Sequence, residues 1–217
     1  MTARLLLVDD DPLVRSGLRL LLGGHRGLEV AAEAANGREA LERCAEAPID
    51  LVLMDLRMPV MDGIDATAAL KGAERAPAVI VLTTFDADDY VVRALAVGAD
   101  GFLLKDTPPE QIVDAIETVL DGRPALSPSV TAALIKQVVD GRDSDRTTAA
   151  RRSVETLTAR EREVAVCLAR GASNAEIGGE LYMSVPTVKA HISRIFTKLD
   201  VANRVQVAIL MHDAGLA

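Results

Sequence analysis

The sequence lacks the apolar runs of membrane proteins and the cysteine spacing of Cys/His metal sites. Among 217 residues there are only two cysteines, Cys44 and Cys167, far apart and outside any CxxC or Cys/His metal spacing, so we expect two buried thiols. No apolar run approaches membrane-spanning length, and the N-terminus lacks the basic-then-apolar order of a signal peptide. We therefore expect a cytoplasmic protein with no membrane partner.

Charge is unevenly distributed and divides the chain. Residues 1–121 carry 11 basic and 22 acidic side chains, residues 122–154 carry 6 and 3, and residues 155–217 carry 7 and 7. The middle stretch is rich in proline, glycine and polar residues, most of all over 141–148. Composition therefore predicts a first domain over 1–121, a flexible linker over 122–154 with one helix from Ser127 to Val139, and a second domain over 155–217.

Short apolar runs alternate with segments of helical periodicity throughout the first domain. The predicted strands are Leu5–Val8, Glu29–Ala34, Leu51–Met54, Ala78–Thr83 and Gly101–Leu104. Helices are predicted after each strand, four of them over Gly37–Ala45, Gly63–Lys71, Asp88–Val97 and Pro109–Leu120. Five such units predict an α/β fold, a flavodoxin-like, doubly wound, five-stranded parallel sheet with helices on both faces.

Polar side chains stand at the carboxyl ends of four predicted strands: Asp9 and Asp10, Asp55, Thr83 and Lys105. In a flavodoxin-like strand order these ends meet at one edge of the sheet. Three neighbouring carboxylates repel one another unless a cation is bound, and oxygen ligands suit Mg²⁺. The pattern predicts a magnesium site beside a reactive carboxylate.

The residue types suggest phosphoryl chemistry. Our hypothesis makes Asp55 the nucleophile toward a phosphoryl group. Asp9, Asp10 and the backbone carbonyl of Arg57 would join Asp55 in holding Mg²⁺, while Lys105 and the Thr83 hydroxyl would stabilise the phosphoryl oxygens. Taken singly, Thr83 could equally be an ordinary strand threonine and Lys105 a solvated lysine.

Residues 1 to 121 resemble the receiver domain of two-component response regulators. The resemblance rests on the five residues at the strand ends, on Met58-Pro59 with Asp62-Gly63, and on Gly98-Ala99-Asp100-Gly101-Phe102. It implies that a sensor histidine kinase phosphorylates Asp55, and that Thr83 and Phe102 reorient as a switch. Arg57 and Phe85 occupy positions that influence hydrolysis of the acyl phosphate in receivers. Since neither is acidic or an amide, we expect a long-lived phosphoryl group.

The second domain reads as a four-helix unit. Thr158 with Glu161 forms a capping box before a first helix that stops at Gly171. A short helix containing Ile177 and Leu181 follows, then Val185–Leu199 and Arg204–Ala214. Two helices joined by a tight turn, the second bearing polar and basic residues, follow the helix-turn-helix plan. A bundle with a solvated face is the alternative, but the basic residues Lys189, Arg194, Lys198 and Arg204 cluster after Leu181 and favour DNA.

This region resembles the LuxR/NarL-type helix-turn-helix over residues 155–217. The motifs are Leu157-Thr158-x-Arg160-Glu161, Gly171-x-Ser173-Asn174-x-Glu176-Ile177 and Ser184-x-x-Thr187-Val188-Lys189-x-His191. The resemblance implies that Thr187, Lys189, Ser193 and Arg194 face double-stranded DNA. With the receiver, it implies a transcription regulator that forms a homodimer on phosphorylation and binds half-sites about one helical turn apart.

Two other functions stay open on the sequence. A Mg²⁺-dependent phosphohydrolase with an aspartyl nucleophile, as in the haloacid-dehalogenase-like family, needs an acid two residues after the nucleophile, where Arg57 stands. A receiver that signals by protein contact alone would fit the loss of an acidic ligand or of Lys105, and all of these are present. We therefore expect a regulator and not an enzyme.

Overall fold

The chain folds as two compact units. The computed structural model describes residues 2–73, 75–84, 88–127, 130–131 and 144–216. The first unit comprises the residues up to Leu120 together with Ala125–Val130, and the second contains the remainder. Among the described residues, none of the helices has the length and apolar character needed to cross a bilayer.

The first unit is a parallel sheet covered by helices on both faces. Its strands are β1 (Ala3–Val8), β2 (Leu28–Ala34), β3 (Leu51–Met54), β4 (Ala78–Thr83), β5 (Gly101–Leu104) and β6 (Ala125–Leu126). Its helices are α1 (Pro12–Leu22), α2 (Gly37–Glu46), α3 (Gly63–Lys71), α4 (Asp88–Ala96) and α5 (Pro109–Leu120). The strand order β2-β1-β3-β4-β5-β6, parallel throughout, confirms the flavodoxin-like fold.

Alternating strand residues build two apolar layers, as the period of two demands. Leu5, Leu7, Leu51 and Leu53 face α1 and α5, whereas Leu6, Val8, Val52 and Met54 face α2 and α3. Both faces of the central strands are buried, which explains why β3 reads as an unbroken apolar run. Five of the spans predicted for this unit, those of β3, β4, β5, α3 and α5, coincide with the observed ones.

The expected count of five strands is wrong, because a sixth pairs with the edge of the sheet. β6 has only two residues, Ala125 and Leu126, which pair with Gly101 and Phe102. A β-carbon at Gly101 would lie 2.9 Å from the Ala125 carbonyl oxygen, so a glycine lets this strand approach. Two residues carry too little alternation to predict a strand.

The second unit is helical and has its own core. Its helices are α6 (Ser144–Glu155), α7 (Ala159–Ala169), α8 (Asn174–Leu181), α9 (Val185–Leu199) and α10 (Arg204–Asp213). Val164, Leu168, Ile177, Val188 and Ile195 form the centre of that core. The Thr158–Glu161 capping box predicted from the sequence is present at the start of α7.

Helix α6 occupies part of the stretch for which composition predicted a flexible linker. Ala150 and Val154, one helical turn apart, are buried in the core of the second unit, and the Arg151 Nε donates a hydrogen bond to the Ala214 carbonyl at 3.3 Å. This apolar pair anchors α6 despite its polar composition. The predicted helix Ser127–Val139 falls largely on residues outside the described ranges.

Candidate functional site

Strand pairing brings the acidic residues together. Val8 pairs with Met54 where β1 and β3 end, so Asp9 and Asp55 follow a matched pair of residues. The Asp55 backbone N–H donates to the Val8 carbonyl at 2.8 Å. On the other side of β3, the Lys105 backbone N–H donates to the Thr83 carbonyl at 2.8 Å. Four strand ends thus deliver the predicted side chains to one edge of the sheet.

The side chains at this edge form an ion cluster. The Lys105 Nζ lies 2.6 Å from Asp9 Oδ2 and 3.1 Å from Asp55 Oδ2. One carboxylate oxygen from each of Asp9, Asp10 and Asp55 lies within 4.8 Å of the other two. Asp9 and Asp55 are buried and Asp10 is exposed, so the cluster is open to solvent on one side. Three carboxylates against one ammonium leave a net negative charge.

The cluster suits a small divalent cation. Magnesium–oxygen distances of about 2.0–2.1 Å place opposite ligands about 4 Å apart, which is compatible with carboxylate oxygens that lie within 4.8 Å of one another. The donors are all oxygen atoms, and exposed Asp10 leaves room for the waters that Mg²⁺ retains. The residues present therefore fit the ion that the sequence predicted.

Burial and charge act in opposite directions on the two central groups. Burial raises the pKa of the Asp55 carboxyl above its ordinary value, against the opposing effect of the Lys105 ammonium. Burial alone would lower the pKa of Lys105, but its hydrogen bonds to Asp9 and Asp55 raise it above the ordinary value. The lysine is therefore charged at neutral pH, and the Asp55 carboxylate is more basic than that of an exposed aspartate.

Helix α1 holds the loop that carries Asp9 and Asp10. The Arg15 Nη1 donates to the Asp9 backbone carbonyl at 2.6 Å, and its Nε donates to Glu33 on β2 at 3.1 Å. The Arg19 Nε donates to the same carboxylate at 2.6 Å. Burial raises the pKa of Glu33, but the two guanidinium groups outweigh this effect and lower it. Sequence reasoning missed Arg15, although an arginine pair spaced i,i+4 on α1 is visible in the sequence.

A tight loop connects Asp55 to α3. Val60 has φ 70°, and the Met61 N–H donates to the Pro59 carbonyl at 2.7 Å, which closes a γ-turn. The Gly63 N–H then donates to the Leu56 carbonyl at 2.9 Å. A β-carbon on Gly63 would lie only 2.0 Å from the Asp55 carbonyl oxygen. Only glycine allows α3 to begin so close to Asp55.

The two predicted switch residues share one face of the sheet. Thr83 pairs with Leu104 and Val81 with Phe102, and paired residues and their i,i+2 neighbours point to the same side. Thr83 and Phe102 are both buried.

The exposed Arg57 guanidinium lies over the Tyr90 ring, 5.6 Å from its centroid. Phe85, the other residue on which we based a long phosphoryl lifetime, lies outside the described residues.

In the helical unit, α8 and α9 meet in a tight turn. Ser184 caps α9 by accepting a hydrogen bond from the Thr187 N–H at 3.3 Å. All four predicted DNA-contacting residues, Thr187, Lys189, Ser193 and Arg194, are exposed on α9. At about 100° per residue, Lys189 and Ser193 lie along one edge of the exposed face and Thr187 and Arg194 along the other. Pro186 and Ala190 lie between these edges, where small side chains leave room for a ligand.

Two basic residues that we counted toward a DNA surface are used inside the domain. The Lys198 Nζ lies 2.6 Å from the buried Glu161 Oε2, which also accepts from the Thr158 N–H at 2.8 Å. The buried Arg204 donates to the Ala172 carbonyl and to Asn174 Oδ1, each at 3.1 Å. Neither is among the four predicted DNA-contacting residues, and the contacts within the domain explain the presence of both. Charge in a sequence does not reveal which acid or carbonyl lies opposite.

Comparison with known proteins identifies the same two parts. Residues 5–117 match the family described as "Response regulator receiver domain", and residues 155–211 match "Bacterial regulatory proteins, luxR family". Transcriptional regulatory protein LiaR of Bacillus subtilis is 39% identical over 209 residues, which cover 96% of each chain. Response regulator protein VraR of Staphylococcus aureus is 37% identical over 216 residues, 100% of this chain and 99% of that protein. The chain belongs to the two-component response regulators of the LuxR family.

Solved structures agree with this membership. The crystal structure of response regulator ChrA of a heme-sensing two-component system is 36% identical, with a TM-score of 0.53 over 100% of this chain and 99% of that one. A complex of the two-component response regulator RcsB with DNA matches 99% of this chain and 100% of that one, with a TM-score of 0.59. At 22% identity, that likeness shows the shared fold alone. The acidic cluster therefore lies in the receiver domain of this response regulator, and the α8–α9 turn lies in its DNA-binding domain.

Proposed function

We propose that phosphorylation of Asp55 by a sensor histidine kinase controls DNA binding by this cytoplasmic response regulator. One observation carries the proposal. The buried Asp55 carboxylate stands beside the carboxylates of Asp9 and Asp10, all within 4.8 Å, and 3.1 Å from the Lys105 ammonium. This arrangement supports a nucleophilic role for Asp55, cation binding by the three carboxylates and neutralisation of negative charge by Lys105.

The transfer follows from these positions. One Asp55 carboxylate oxygen bonds to the phosphorus of a phosphohistidine as the phosphorus–nitrogen bond breaks, and that bond's electron pair leaves with the imidazole. Lys105 lies close enough to neutralise a phosphoryl oxygen, and the Thr83 hydroxyl would donate to another. Asp9, Asp10, Asp55 and the Arg57 carbonyl would hold Mg²⁺, which when bound supplies further positive charge against the phosphoryl oxygens.

The signal would pass through the face of the sheet that Thr83 and Phe102 share. Recruiting the Thr83 hydroxyl toward a phosphoryl oxygen changes the space next to the buried Phe102, and this stabilises one of two receiver conformations. The favoured conformation forms the homodimer. Two DNA-binding domains then engage half-sites about one helical turn apart through Thr187, Lys189, Ser193 and Arg194.

The environment of the acyl phosphate favours a long lifetime. Arg57 has neither a carboxylate nor an amide with which to orient an attacking water, and its guanidinium is held near the Tyr90 ring. We therefore expect the phosphoryl group to persist well beyond seconds at neutral pH with Mg²⁺. Loss of most of the label within seconds would contradict this expectation.

Intact-protein mass spectrometry after incubation with acetyl phosphate and Mg²⁺ tests the central step. We expect one added phosphoryl group on the wild type and none on Asp55→Asn, which keeps the size of the side chain but lacks the nucleophilic oxygen. The phosphorylated protein should then sediment as a dimer and bind DNA more tightly. Addition to both proteins would refute Asp55 as the acceptor. Sustained release of phosphate from small esters would instead support the phosphohydrolase alternative.

A further inference from the structure

Tyr182 has a costly backbone conformation at the turn between α8 and α9. It follows the last residue of α8 with φ 55° and ψ 48°, in the left-handed region, and its N–H donates to the Gly178 carbonyl. A side chain with a β-carbon is disfavoured there, and glycine or asparagine is the usual choice. A tyrosine at this position needs a compensating interaction.

The Tyr182 side chain is not packed against the described part of the domain. The Tyr182 side chain is 96% exposed, more than any other large apolar residue in the described part of the chain. A tyrosine combines an apolar ring with a hydroxyl donor, and at this exposure both are available to a ligand outside the chain. A contact between this ring and a ligand could therefore offset the backbone strain.

The turn beneath Tyr182 is held firmly. The Met183 N–H donates to the Gly178 carbonyl at 2.8 Å, and the Arg160 guanidinium donates to the Leu181 carbonyl. A β-carbon on Gly178 would lie 2.7 Å from the Met183 carbonyl oxygen, so the two segments pack backbone against backbone. The ring thus projects from a fixed point and loses little freedom on meeting a ligand.

The position of the ring indicates the ligand. Tyr182 lies two residues before Ser184, the N-cap of α9. It is therefore at the end of α9 that carries the exposed Thr187 and Lys189. In the helix-turn-helix plan the start of this helix meets base edges, so residues just outside it meet the rim of the groove. A tyrosine hydroxyl is a known donor to phosphate oxygens.

We propose that Tyr182 is a further DNA contact, whose hydroxyl donates a hydrogen bond to a backbone phosphate while its ring lies against the neighbouring deoxyribose. This inference rests on DNA binding by α9. The contact reads no base, so it strengthens binding to operator and to unrelated DNA by the same factor. Because tyrosine is neutral, it releases no counterion and leaves the salt dependence of the affinity unchanged.

Fluorescence anisotropy with a mixed-sequence DNA duplex of about three helical turns, at several salt concentrations, tests the proposal in the full chain after incubation with acetyl phosphate and Mg²⁺. Loss of a hydrogen bond to a charged acceptor should weaken binding by Tyr182→Phe at least about tenfold, and loss of the ring as well should weaken binding by Tyr182→Asn further. Both variants should keep the wild-type slope against salt. Asparagine tolerates the left-handed conformation, so Tyr182→Asn should unfold at or above the wild-type temperature.

Asp200→Asn is the matched control. Asp200 is exposed and caps the far end of α9 with φ 53°, so this variant makes the same kind of backbone change without removing a ring. Its affinity should equal or exceed that of the wild type, because a negative charge is lost. Wild-type affinity for Tyr182→Asn would overturn the proposal, as would a change in self-association with no change in DNA affinity. A wild type that binds no DNA would refute the DNA-binding function itself.

Discussion

Replacing Gly63 with alanine should displace the backbone that carries Asp55, the proposed phosphorylation site. The new β-carbon would lie 2.0 Å from the Asp55 carbonyl oxygen, 2.9 Å from its carbonyl carbon and 3.0 Å from the Leu56 Cα. All three neighbours are backbone atoms, so no side chain can rotate away. Ordinary contact begins near 3.4 Å, and either the start of α3 or the end of β3 must therefore move by about 1.4 Å.

The magnitude follows from that displacement. Overpacking in a closely packed region costs about 1–3 kcal/mol, which exceeds the gain of about 1 kcal/mol that alanine brings to a helix. A misplacement of about 1 Å at a reacting group can cost about a hundredfold in rate. We expect Gly63→Ala to unfold at a lower temperature and to accept phosphate from acetyl phosphate at least tenfold more slowly than the wild type.

Gly72→Ala provides the matched control on the same helix. Gly72 caps the other end of α3 with φ −76°, and the nearest atoms to its added β-carbon lie 3.6 and 3.7 Å away. This variant should phosphorylate like the wild type. The reasoning would be refuted if Gly63→Ala matched both the phosphorylation rate, followed by intact mass, and the calorimetric transition of Gly72→Ala.

Two further predictions concern the DNA-binding domain. Glu161→Gln should lower the temperature of its calorimetric transition at neutral pH, and the difference from the wild type should vanish as the pH falls from 4.5 toward about 2. The hydrogen bond from Lys198 lowers the pKa of Glu161 to about 2, so the stabilisation from the ionised Glu161 is present above pH 4.5 and is lost as the pH falls toward 2. Glu163 is exposed, so Glu163→Gln should change the transition temperature little. Equal effects of the two substitutions would contradict the stabilising role of Glu161. Gly178→Ala should weaken both stability and DNA binding, because its β-carbon would lie 2.7 Å from the Met183 carbonyl oxygen. Gly179→Ala is the control and should stabilise α8, because no atom lies within 4 Å of its β-carbon. A Gly178→Ala variant more stable than the wild type would disprove the close approach of Gly178 to Met183.

Strong patterns in the sequence predicted most of the receiver fold. β3 and β5 are short apolar runs buried on both faces, and each ends where a charged residue follows. Because parallel strands end at a common edge, the convergence of Asp9, Asp55 and Lys105 could be predicted without any distance. The contact of Lys105 with both Asp9 and Asp55 could not be predicted. Strand order determines which strand ends are neighbours, but it does not determine the positions of their side chains.

Weak patterns account for the errors. β6 depends on pairing with β5 and has no periodicity of its own. Helix α6 is polar over most of its length, and the two buried residues Ala150 and Val154 are too few to stand out against that composition. Lys198 was counted with the DNA surface because its partner Glu161 lies 37 residues earlier in the chain.

The acidic cluster of the receiver and the α8–α9 turn share one structural feature, a glycine that allows two backbone segments to come into contact. Gly63 allows the start of α3 to pack against the Asp55 carbonyl, and Gly178 allows α8 to pack against the Met183 carbonyl in the turn. In each case main-chain contacts fix the backbone from which the proposed functional side chain projects. These contacts would hold Asp55 in position for the proposed phosphoryl transfer and Tyr182 for the proposed DNA contact. Substitutions at the glycines should remove function by displacing that backbone, whereas substitutions at the two side chains should remove it with the fold intact.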